Sequence, residues 1–141
     1  MRDTTTRVLL IIVAVGNAVV GLWAGLAPQS FYDDFPGAGR HWVALDGPYN
    51  EHLVRDVGVL NLALAAVAVA VLLRPDRYLV MVVAAAELIY AAPHLLYHLA
   101  HLDPFESGDK VALVVSLAVS VLAPIALLIH SSRTAEAAIH R

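Results

Sequence analysis

The segment ELIYAAPHLLYHLAH, Glu87 to His101, places an acid, two tyrosines and three histidines in otherwise apolar sequence. In helical register, at about 100° per residue, Tyr90 falls about −60° from Glu87 and His94 about −20°. Tyr97 falls at about −80°, His98 about +20° and His101 about −40°. One helical face is therefore a polar stripe. A second set precedes another apolar run, where His52 and Asp56 stand four residues apart with Arg55 beside them. His-x-x-x-His sets two imidazoles on one face, and imidazoles with a carboxylate suit a divalent transition metal. The expected ligand set is His94 and His98 with His52 or Asp56. Haem held between histidines of facing helices is a second option. A third uses no metal: Glu87, with Tyr90, Asn17, Asn61 and Arg55, binds a small polar ligand or passes protons to the histidines above it. Against all three stands a plain reading, in which histidine and tyrosine rings sit at a membrane interface because one end is apolar and the other wet.

These residues need helices to position them, and four apolar runs supply them. They are expected at about 8–27, 53–73, 78–99 and 111–130, each near the ~20 residues that cross the hydrocarbon of a bilayer. Of the 141 residues, 60% are apolar and 15% charged, too little polar surface to cover a soluble globule of this size. The fold expected is all-α, a single-domain four-helix transmembrane bundle. The first run also has a small-x-small ending at Gly25 and Ala27, as a signal peptide would. Its apolar length exceeds the ~7–15 residues of a signal core, so it is read as a helix of the mature protein.

Arg2, Arg7, Arg74, Arg77, Arg133 and Arg141 fall on one side of such a bundle, and Arg40, Arg55 and Lys110 on the other. The positive-inside rule then places both termini in the cytoplasm, with the protein in the inner membrane. The connection from Pro28 to His52 lies outside, where Phe31, Tyr32, Phe35, Trp42 and Tyr49 suit a semi-ordered loop across the bundle mouth. Depth along each helix sets Asn17, Asn61 and Glu87 together, about 12–18 Å from the outer ends.

Lipid tails do not drive helices together, so small residues and interhelical hydrogen bonds must. Asn17, Gly21 and Gly25 form one small stripe, Ala63, Ala66 and Ala70 another, and Ala84 to Ala86 a third. Gly21 and Gly25 also offer a seam for a membrane-protein partner or a second copy. Pro93 and Pro124 each leave a carbonyl without its helical donor, so both are expected to face protein or a wet space.

Several classes drop out. The absence of cysteine excludes disulfides, thiolate metal sites and cysteine nucleophiles. A net charge of −3 without a basic run gives no footing for nucleic acid. There is one histidine box, no paired Glu-x-x-His, no Gly-rich phosphate loop and no Gly-x-Ser-x-Gly elbow, so no catalytic motif is found.

The run Asn-Glu-His-Leu-Val-Arg-Asp-Val-Gly, Asn50 to Gly58, together with the length and four spans, resembles the DoxX-like group of small four-helix membrane proteins. That resemblance implies the same layout and, for some members, association with quinol-linked or redox complexes. It transfers no site residue. Two functions follow as expectations: a binding protein with an outward-facing His/Asp/Glu site between the second and third spans, or an accessory subunit whose polar residues only join helices and partners.

Overall fold

The computed structural model describes residues 3–139, and the side chains of 133–139 lie outside the description. Four long helices, α1 (Thr4–Leu26), α4 (Glu51–Leu73), α5 (Arg77–Ala100) and α6 (Ser107–Ile139), run up, down, up and down. Each is long and apolar enough to cross a bilayer, the architecture of a multi-pass membrane protein. Only 28–33% of each apolar stretch is buried, so most of the helix surface, including Val15, Leu60, Ile89 and Leu122, faces outward. Thr6, Asn17, Asn61 and Glu87 turn inward instead. Polar groups inside and apolar groups outside suit lipid as the solvent.

The helix starts follow local capping chemistry. Asp3 accepts from the amide and hydroxyl of Thr6 at 2.8 Å, and Asn50 accepts from the Leu53 amide at 3.1 Å. Asp76 caps α5 through the amides of Tyr78 and Leu79. Those caps lengthen the helices by a few residues beyond the apolar runs, because a polar first turn adds little to hydropathy.

The tightest packing is α1 against α4. A Cβ placed on Gly21 would stand 2.8 Å from Leu62, and one on Gly58 would stand 2.7 Å from the Gly25 Cα. Gly21 and Gly25 are thus taken up against α4 within the chain. Gly58, Ala65 and Ala68 are the small residues α4 buries, while Ala63, Ala66 and Ala70 face outward. Pro124 is fully buried, as expected, but Pro93 is exposed. The reason is phase: Pro93 lies about 120° round α5 from Glu87, off the inward face.

At the end that holds the termini, the bundle is filled by Leu10, Val13, Ala14, Ala68, Val71, Val80, Val83, Ala84, Ala123 and Leu127. The opposite end is covered by a strap between α1 and α4. It comprises α2 (Pro28–Asp34), a two-residue ribbon β1 (Pro36–Gly37) against β2 (Arg40–His41), and α3 (Trp42–Asp46). The strap is more regular than the semi-ordered loop expected from composition. Trp23, Phe31, Phe35 and Trp42 meet edge to face or tilted, with centroids 4.7–6.2 Å apart. Arg40 pins it to α6 through Asp109 at 2.7 Å.

Candidate binding site

Between the filled end and the strap lies a cavity of about 490 Å³, bounded by α1, α4, α5, α6 and the strap. Its size falls within the ~300–1,000 Å³ of small-molecule sites. Phe31, Phe35, Trp42 and Val43 line it from the strap, with Asp46 at the same end. The strap thus forms one end of the cavity.

Glu87 lies in the wall, only 4% exposed. The Nδ2 of Asn17 stands 3.0 Å from both of its carboxylate oxygens and 2.9 Å from the Val13 carbonyl. One amide hydrogen therefore serves the backbone and the other the acid. Asn61 donates to the Val57 carbonyl at 2.8 Å and to the Tyr90 hydroxyl at 3.3 Å. The Tyr90 ring stacks on His94 at 5.5 Å, and His98 meets His94 edge-on at 4.7 Å. A continuous ladder of polar side chains thus climbs α5 from Glu87 toward the strap. Asn17, Asn61, Glu87, Tyr90, His94 and His98 all line the cavity.

The remaining candidates lie elsewhere. His52 and Asp56 pair with each other at 2.9 Å, with side chains 84% and 62% exposed. Arg55 bonds Glu51 and donates to the Gly25 carbonyl, both at 2.8 Å, closing the end of α1. His52 and Asp56 sit on the outer face of α4, because Val54, Gly58, Asn61 and Ala65 form its packed face, while Arg55 stays at the edge toward α1. The expected set of His94 and His98 with His52 or Asp56 is therefore not brought together. Among the described residues no group of three or more histidine, aspartate or glutamate side chains comes within metal-holding distance. At the top of the stripe, His101 caps the end of α5 and stacks on Tyr97 at 4.1 Å, both exposed.

No family model matches this chain, nor does any curated protein or solved structure. The site is therefore read from its own geometry.

Asp46, Ser116 and Ser120 were not singled out as site residues from sequence, yet they line the cavity. Nothing in the primary structure marks Asp46, which depends on a five-residue helix folding back over the bundle. Two buried atoms at this end, the indole nitrogen of Trp42 and Nδ1 of His98, have no hydrogen-bond partner among the described residues. Buried polar atoms left in that state are uncommon and point to groups that water or a ligand satisfies.

Proposed function

We propose that this chain is a membrane-embedded binding protein that holds a small organic molecule in the cavity beneath the strap. The observation that carries this reading is Glu87, an acid buried at the wall of an intrabundle space and served by a single amide. An ionisable group at that depth is costly and is a functional candidate by default. The cavity is mostly apolar, with a few convergent polar groups that orient an occupant. Of the occupants open from the sequence, the small polar ligand has more support than a metal or haem, since His52 and Asp56 stand apart from the His94 and His98 pair, and the apolar lining adds an organic body to it. The resemblance to the DoxX-like group, with the redox association it implies, rests on sequence alone.

We also propose that the termini face the cytoplasm and the strap faces outward. Arg7, Arg74 and Arg77 lie at the termini end, and Arg40, Arg55 and Lys110 at the strap end. Arg2 and Arg141 of the same count lie outside the described residues, as does the side chain of Arg133. Because the chain has no cysteine, single cysteines report sidedness cleanly. An impermeant maleimide added to intact cells labels Gln29→Cys and spares Asp76→Cys; the reverse pattern inverts the topology.

Gly16 provides the binding test. It lines the cavity, and a Cβ there meets nothing within 4 Å, so Gly16→Leu adds side-chain volume at the cavity wall. Compounds from a panel of small ring-bearing molecules raise the melting temperature of the parent but not of Gly16→Leu. If every active compound shifts both proteins equally, binding is elsewhere and the reading fails.

A further inference from the structure

Besides the imidazoles of His94 and His98, the ionisable groups of the cavity lining are acidic. Glu87 and Asp46 line it, and among the described residues no lysine or arginine does. Two arginines of the strap end are held elsewhere, Arg40 by Asp109 at 2.7 Å and Arg55 by Glu51 and the Gly25 carbonyl. Phe31, Phe35, Trp42 and Tyr90 bring aromatic rings to the same space.

Glu87 is also under-served. Among the described residues one N–H, that of Asn17, reaches its two oxygens, whereas an ionised carboxylate offers about four acceptor sites. A buried charge is stable only when paired. A positive centre pairs with it, and the aromatic rings at the strap end take up the apolar part of the same molecule. An anion in this space meets the carboxylates of Glu87 and Asp46 and, among the described residues, no lysine or arginine, with the imidazoles of His94 and His98 sharing the wall. We propose that the ligand is a lipophilic organic cation, with its positive centre toward Glu87 and its apolar body among Phe31, Phe35 and Trp42. This rests on the binding reading above and specifies its ligand class.

Three probes of similar size separate the terms: benzyltrimethylammonium, its neutral carbon isostere 2,2-dimethylpropylbenzene, and phenylacetate. Each is titrated calorimetrically into the full chain in phosphatidylcholine nanodiscs, with empty discs as reference. The cation binds saturably, about tenfold or more tighter than the isostere, and about tenfold weaker to Glu87→Gln. Phenylacetate does not bind. The isostere comparison uses the unaltered chain, so it stands even where the glutamine variant does not fold. Equal binding of cation and isostere, or preference for phenylacetate, each abolished by Gly16→Leu, overturns the cation assignment while the cavity reading survives. Absence of saturable binding by all three probes overturns both.

Discussion

Asn17 of α1 and Glu87 of α5 meet across the bundle, the amide nitrogen 3.0 Å from each carboxylate oxygen, though 70 residues separate them in the chain. The amide keeps a second bond to the Val13 carbonyl, so the two partners are unequal. Asn17→Leu strips the acid of its donor and costs about 1–3 kcal/mol, while Glu87→Leu leaves the amide bonded and costs less. The double replacement restores part of the loss, because two apolar groups leave nothing unpaired. Thermal unfolding of the four proteins in one detergent reads this cycle; strictly additive losses mean that the pair is not coupled.

Gly58 sets how closely α1 and α4 approach. Its substitution by alanine presses a methyl group into the Gly25 backbone, 2.7 Å from the Cα, where neither helix can yield by moving a side chain. A loss of about 1–3 kcal/mol is expected, as for overpacking elsewhere. Gly108→Ala, with nothing within 4 Å of the added carbon, is the control and leaves the melting temperature nearly unchanged. Equal behaviour of the two variants removes the close-crossing argument.

At the opposite end, Asp3 ties the start of α1 to α6 through Nε2 of His130, which donates at 2.9 Å. Burial pushes the Asp3 carboxyl up, but hydrogen bonds from Thr6 and His130 outweigh it and hold it below the usual carboxylate value. A depressed carboxyl favours the folded state above its unfolded value, and that contribution fades as pH falls through the lower folded value. Asp3→Asn keeps a capping side chain but loses the charge. Its stability deficit is therefore greatest at and above the ordinary carboxylate range and shrinks with acid; a deficit that is constant with pH removes the charge from the account.

The strap is held by many small contacts and one clear ion pair, Arg40 with Asp109, whose side chains are 45% and 20% exposed. Arg40→Gln is expected to cost no more than about 1 kcal/mol globally. The local effect is larger: amide exchange across β1, β2 and α3 quickens, while that of the α1–α4 crossing does not. Uniform protection across the strap in the variant would show that its aromatic contacts suffice without the pair.

Four apolar runs of membrane-crossing length, each bounded by capping or charged residues, determined the four spans from sequence, because bilayer thickness and helical rise leave little choice. The depth of Asn17, Asn61 and Glu87 was legible for the same reason, and so was the polar stripe of α5 from Glu87 to His98. Helical phase relates residues within one helix, however, and says nothing of how that helix is turned toward its neighbours. His52 and Asp56 share a face, yet the packing of Gly58 against Gly25 rotates that face outward and brings Asn61 in. Tertiary structure alone decided that rotation, the fold-back that delivers Trp42 and Asp46 to the roof, and the hollow left beneath them. Each depends on close contacts between segments distant in sequence, which residue spacing does not encode.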